Sequence, residues 1–243
     1  MRRLLWPLLA VGATLLAGAP IALSSNGGTS PTLSFFSGGD GAQAHWLVTG
    51  DQPFGDTDSQ AIQLQTTNDA PTFEKGYAGI LVHHVTGVPA ENFPDSEFWL
   101  KTPNNNLQAS LGSPRLVVEF QTPTGAFDGY GDLRPLELMS SWQDVSDQNN
   151  YPKTAWDVMG KTCPGHTFNV HWTEVQACFA GDTTLAVFLV ADPYGIYHLI
   201  DDITVNGKTF SDAADNSNGN NDLAGPSATT NPSLLPPVLF PPL

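Results

Sequence analysis

The chain predicts an all-β fold, an antiparallel β-sandwich of jelly-roll type with little helix. Three observations lead there. Short runs of alternating apolar residues recur along the chain, and clusters of Gly, Pro, Asn and Asp punctuate them. Only one segment carries a helical signature. The composition agrees: 14% of residues are charged, while 23 glycines and 20 prolines supply turn chemistry.

Taken in order, the strand-like runs are 33–36, 44–50, 61–67, 77–85, 97–102, 114–122, 132–139, 167–172, 183–191 and 196–205. The segments "GDQPFGD", "TPNNN", "TPTGAFDGYGD" and "DPYG" read as the turns between them. Asn206-Gly207 is a strong hairpin signal, joining "DDITV" to "KTF". The one helix candidate is "TEVQACF", with Thr173 as N-cap and Gln176 three residues on.

Domain organisation follows from composition. Residues 1–24 have the layout of a secretory signal peptide: Arg2 and Arg3, an apolar run from Leu4, then small residues. The apolar run is short and broken by Pro and Gly, which disfavours a transmembrane helix; the alternative reading is an uncleaved membrane anchor. Residues 25–211 hold the periodic runs and form the sandwich domain. From 212 to 243 the chain becomes acidic and then proline-rich, lacks periodicity and reads as a disordered tail. Within it "DNSNGNND" fails as a calcium loop, because Ala214 would occupy the first ligand position relative to Gly219 and no Glu closes the loop.

The leader sets the compartment as secreted, with no membrane span once it is cleaved. A formal charge of −15 excludes nucleic acid and anionic lipid as partners, through plain repulsion. It suits divalent cations. In an exported chain Cys163 and Cys178 are expected to form a disulfide. The competing reading is zinc, since His166 and His171 lie between them, but that spacing fits no common structural zinc pattern.

The stretch "HLIDDITVNG" (198–207) poses the sharpest chemical question. As a regular strand it places Asp201 on one face with Leu199, Ile203 and Val205. An ionised carboxylate facing a core needs a partner. Arg134, in phase with Leu136 and Leu138, is one inward-pointing candidate; backbone N–H groups and a bound cation are the others.

The cation reading has support from a resemblance. "YHLIDDITVNGKTF" resembles the closing strand of galactose-binding-like jelly rolls, which include many carbohydrate-binding modules; Tyr197, Asp201 or Asp202, Ile203 and Val205 carry the pattern. The resemblance implies a structural Ca2+ held by Asp201 and Asp202 against an N-terminal loop. Here that loop is "TGDQPFGDTDSQ" (49–60), with Asp51, Asp56 and Asp58, which otherwise read as a solvated turn. Through "HWLVTGD", "SPRLVVEF" and "HLIDDITVNG" the chain also resembles secreted bacterial β-sandwich proteins, a likeness that implies fold and compartment only.

The function expected is non-catalytic binding of an extracellular glycan or cell-surface component. The segment 139–162 carries Trp142, Tyr151 and Trp156 among Gln143, Asp144, Asn149, Asn150 and Asp157, a composition suited to stacking on sugar rings. The same rings are equally suited to plugging the end of the sandwich. Trp46, Trp99 and Trp172 read as core. Arg115 joins the ligand-binding candidates as a binder of acidic sugars. A structural or adhesive surface role is the first alternative. The second is a jelly-roll glycoside hydrolase or polysaccharide lyase using Glu119 and Glu137, both on non-apolar strand faces. No nucleophile, zinc-protease or phosphate-loop motif accompanies that pair.

Overall fold

The computed structural model describes residues 30–38, 41–68, 76–103, 113–163, 165 and 167–216. The signal-peptide segment, His166 and residues 217–243 lie outside them. Among the described residues twelve strands form: β1 (Thr32–Ser37), β2 (Gln43–Val48), β3 (Gln60–Gln65), β4 (Ala78–His83), β5 (Glu97–Lys101), β6 (Arg115–Gln121), β7 (Phe127–Pro135), β8 (Gln143–Val145), β9 (Thr154–Met159), β10 (Thr183–Ala191), β11 (Tyr197–Val205) and β12 (Lys208–Phe210). Two short helices, α1 (Asp147–Asn150) and α2 (Trp172–Cys178), and a 3-10 turn at Ala90–Asn92 complete the described elements. No described helix is long and apolar enough to cross a membrane.

The strands build two sheets in which every described ladder is antiparallel. A six-stranded sheet runs β1-β4-β10-β6-β7-β9, and a second runs β2-β3-β11-β5-β8 with β12 paired to β11. The chain changes sheet repeatedly, as a jelly-roll sandwich requires. Period-two alternation decides what lies between the sheets. Leu116, Val118 and Phe120 of β6 and Ile62 and Leu64 of β3 point inward, while Arg115, Glu119 and Gln63 alternate outward. One end of the core is aromatic: Trp156 meets Trp172 at 4.5 Å and Phe120 stacks on Phe179 at 4.3 Å.

Several expected elements are corrected. The expected strand 132–139 begins earlier, at Phe127, and ends at Pro135. Glycines that resemble a turn in "AFDGYGD" are strand residues, because a Cβ on Gly129 would sit 2.6 Å from the Met159 carbonyl and one on Gly131 would sit 2.9 Å from Val175. The segment 167–172 makes only an isolated bridge, Val170 with Trp156, before α2 begins. That helix is entered from His171, whose N–H donates to Glu174 at 2.9 Å, rather than from Thr173. Residues 154–159, expected as loop, form the edge strand β9.

Cys163 and Cys178 are disulfide-bonded, which removes the zinc reading. Packing also continues past residue 211: the Asn216 side chain, fully buried, accepts from the Leu33 N–H at 2.6 Å and donates to the Leu33 carbonyl at 3.0 Å. The Asn206-Gly207 turn adopts positive φ at both residues, as a tight hairpin needs. The disulfide ties the end of α2 to the link after β9. Its replacement in a C163S/C178S variant is expected to lower unfolding free energy by about 3 kcal/mol, read from urea unfolding of oxidised wild type and variant.

Candidate functional site

Two irregularities create the acidic cluster. Between Asp201 and Thr204 the pairing of β11 with β5 shifts register, and Asp202 takes φ 44. Ile200, Ile203 and Val205 therefore all reach the inner cluster. Asp201 follows Leu199 onto the outer face, opposite Trp99. The expectation that Asp201 shares a face with Ile203 and Val205 is corrected by this bulge. Arg134 is also corrected: it lies on the outer face of the other sheet, its Nε donating to Asp157 at 2.8 Å, so it is not Asp201's partner.

Asp201 meets the β2–β3 loop instead. Asp56, Asp58 and Asp201 bring carboxylate oxygens within 4.8 Å of one another. Each already uses one oxygen locally. Asp56 accepts from the Thr57 and Asp58 N–H groups, Asp58 from Gln60 and Asp201 from Asp202. The other oxygen of each is buried without a hydrogen-bond partner, and Asp201 has no exposed surface. Oxygens bound to one calcium ion at about 2.4 Å stand up to about 5 Å apart, so this trio fits a hard cation. Burial, reinforced by Asp202, Asp58 and Asp56, pushes the Asp201 carboxyl up to about 8. Asp202 shows the same upward direction, from burial first and Asp56 and Asp58 next.

Asp51 stands apart from that trio. Its carboxylate pairs with Lys101 and accepts from Trp142 Nε1 at 3.1 Å. The loop thus crosses β11 to reach β5 and the start of β8, and it locks the Trp142 ring.

The aromatic candidates separate. Trp156 is 0% exposed and its Nε1 donates to Asp95 at 3.1 Å; it is a core residue on β9, and its expected role in ligand binding is corrected. Tyr151 is 42% exposed and packs on the His171 ring with centroids 3.9 Å apart. Its hydroxyl donates to the Asn169 carbonyl, and His171 Nδ1 lies 2.9 Å from the buried carboxylate of Asp147. Asp147 also accepts from the Trp172 N–H at 2.8 Å. Asn149 Nδ2 reaches Asp144, folding α1 back over β8. His171 and Asp147 have no sequence signal for this role, since nothing local shows that 147–151 and 169–171 meet. Trp99, expected in the core, is half-exposed on the outer face opposite Asp201 and Asp144.

The remaining candidates lie on the outer face of the six-stranded sheet. Arg115 pairs with Asp192 and stands 3.9 Å from Asp132, so it is held in a network of acids. Burial pushes Asp132 up to about 6 despite Arg115. Glu119, opposite Tyr130, is fully buried with both oxygens unpartnered. Glu137 is exposed, in the bend beyond the end of β7 at Pro135. Glu119 has no exposed surface to meet a substrate, which corrects the expectation that it shares an exposed catalytic pair with Glu137.

No protein-family model matches this chain, and no curated protein matches it. Among solved structures it is similar to the family 11 carbohydrate-binding module of the cellulosomal cellulase Lic26A-Cel5E of Clostridium thermocellum, with 12% identity over 76% of this chain and 93% of that one, TM-score 0.38. It is also similar to an arabinose-bound MgGH51 α-L-arabinofuranosidase (11% identity, 73% of this chain, 24% of that chain, TM-score 0.38). A third is the CBM22-1–GH10 portion of xylanase 10B of Clostridium thermocellum, complexed with xylohexaose (10% identity, 73% and 26% coverage, TM-score 0.36). The chain spans about a quarter of the latter two.

Glu119 gives a pH signature independent of the acidic cluster. Burial raises it from 4.5 to about 7 in the folded protein. The folded state therefore binds the extra proton, and this contribution to stability is present below pH 4.5 and lost as pH rises through about 7. Glu119→Gln is expected to flatten that part of the profile and to exceed wild type at pH 8 by up to about 3 kcal/mol, measured by urea unfolding from pH 4 to 8.

Proposed function

We propose that the protein is a secreted, non-catalytic module that binds extracellular carbohydrate, exported by the leader at 1–24. The observation that carries the reading is the Tyr151–His171 pair: two exposed rings in contact, each held at its polar end by Asn169 or Asp147. An aromatic ring fixed before the ligand arrives, as Tyr151 is by His171 and Asn169, loses little entropy on stacking against a sugar ring. Asp144 and Asn149 supply polar groups nearby, and Trp142, pinned by Asp51, extends the candidate surface.

A divalent cation, with calcium the natural choice for an all-oxygen donor set, would occupy the Asp56–Asp58–Asp201 cluster. Its role there is structural: it neutralises three crowded carboxylates and fastens the β2–β3 loop to β11. Through Asp51, that loop also orients Trp142. A second reading, an adhesive surface component, draws on Phe54, which is fully exposed at the tip of the same loop, and on exposed Val48 at the end of the edge strand β2.

The deciding measurement is binding of the full mature protein to a broad panel of glycans and polysaccharides. Saturable binding to one class is expected, with Tyr151→Ala weakening it about tenfold, or ~1.4 kcal/mol. Silence across the panel overturns the reading in favour of adhesion, and depletion of a polymer replaces it with catalysis. For the cation, calcium at about a hundred times its dissociation constant is expected to stabilise the fold by about 2.7 kcal/mol. Asp201→Asn should abolish that gain and Asp51→Asn leave it intact. Melting curves that are identical in calcium and EDTA would rule the cation out.

A further inference from the structure

Asp95, just before β5, is a half-buried carboxylate that no base neutralises among the described residues. Its Oδ1 is fixed by two donors, the Ser96 N–H at 2.8 Å and Trp156 Nε1 at 3.1 Å. Its Oδ2 accepts no hydrogen bond from a described residue. The free oxygens of Glu119 and Asp201 are buried, whereas Asp95 Oδ2 reaches solvent. One oxygen locked and the other open make a carboxylate a preorganised acceptor.

Two observations tie Asp95 to the Tyr151–His171 pair. Continued past Phe98 opposite Val145, the β5–β8 ladder brings the Asp95–Ser96 end of β5 beside Asp147, whose charge is felt at Asp95. Trp156, which holds Asp95, also packs on Trp172 at 4.5 Å, and the Trp172 N–H shares Asp147 with His171. The surroundings are acidic. Asp147 and Glu97 both act on Asp95, Asp144 holds Asn149, and Glu174 accepts from the His171 N–H. Against these acids the stretch 142–153 brings one base, Lys153.

We propose that Asp95 sets what the Tyr151–His171 surface binds. Its Oδ2 takes a hydroxyl of an uncharged sugar, and the carboxylate, backed by Asp147 and Glu97, turns away sugars that carry carboxylate or sulfate groups. This role rests on the carbohydrate reading of that surface and supplies its selectivity. It also carries a pH signature. Burial first, then Asp147 and Glu97, pushes Asp95 up to about 6. The ionised acceptor is therefore present above that value, and sugar binding weakens as pH falls through it. The titratable groups around Asp95 are Asp147 and Glu97, with His171, Tyr151 and Glu174 beyond Asp147.

The test compares the full mature protein with its Asp95→Asn variant, whose amide oxygen can still accept from Ser96 and Trp156 and so keeps the fold. The probes are the neutral polysaccharides of the glycan panel, β-glucan, galactomannan and xylan among them, and C6-oxidised, uronate-bearing β-glucan and galactomannan. Wild type is expected to bind a neutral polymer and to lose about fivefold in affinity between about pH 7.5 and about pH 4.5. Asp95→Asn should be about fivefold weaker at the upper pH and lose that dependence. It should also narrow the preference for neutral over oxidised polymer several-fold. A pH profile and a neutral-to-oxidised ratio that are the same in both proteins overturn the role of Asp95 and leave the carbohydrate reading standing. Wild-type binding to oxidised polymer as tight as to neutral polymer does the same. Silence of wild type across the whole panel overturns the carbohydrate reading itself, and the role of Asp95 with it.

Discussion

The register shift in β11 is the constraint on which the arrangement of the second sheet depends. A regular strand from Tyr197 to Val205 would place Asp201 with Ile203 and Val205, and no regular alternation puts Ile200, Ile203 and Val205 on one face. The extra residue between Asp201 and Thr204, absorbed by the positive φ of Asp202, allows all three aliphatic side chains to enter the core. The cost is a fully buried carboxylate on the outer face. The β2–β3 loop exists around that cost: it delivers Asp56 and Asp58 to Asp201 and continues to Lys101 and Trp142 through Asp51.

Buried and half-buried carboxylates recur among the described residues and are handled in different ways. Asp147 is satisfied by hydrogen bonds from the Trp172 N–H and His171, and it turns a flexible histidine into a fixed wall for Tyr151. Asp95 accepts from Trp156 and from the Ser96 N–H, yet burial still pushes it up to about 6. Asp192 and Asp157 are met by arginines across neighbouring strands. Glu119 has no such partner, and burial alone sets its behaviour. The contrast matters because the satisfied acids rigidify their surroundings, whereas those left with a buried unpartnered oxygen are pushed upward by burial, Glu119 to about 7 and Asp201 to about 8.

The candidate surface inherits its rigidity from these contacts. Tyr151 and His171 lie on separate segments joined through Asn169 and Asp147, close to the Trp156–Trp172 contact of the aromatic core. Exposure and order coincide there, a combination that core rings and free loops do not offer. Trp156 has the order without the exposure, which is why a ring of the right type in the right stretch serves the core instead.

The sequence by itself determined the all-β architecture, the hairpin at Asn206-Gly207, the disulfide pairing of the only two cysteines, and the outward placement of Arg115 and Glu119. Each of these follows from period two, turn stereochemistry or composition, all of which are local. Only the tertiary structure decided that Trp156 is core, that Arg134 serves Asp157, that Glu119 is buried while Glu137 is exposed, and that Asp51 leaves the acidic cluster to Asp56 and Asp58. These outcomes turn on a one-residue bulge, on glycines that act as strand residues, and on loops that meet from distant parts of the chain. A bulge inverts every later side chain without any change in composition. Contacts such as His171 with Asp147 depend on where strand ends converge in space, and that has no local signature.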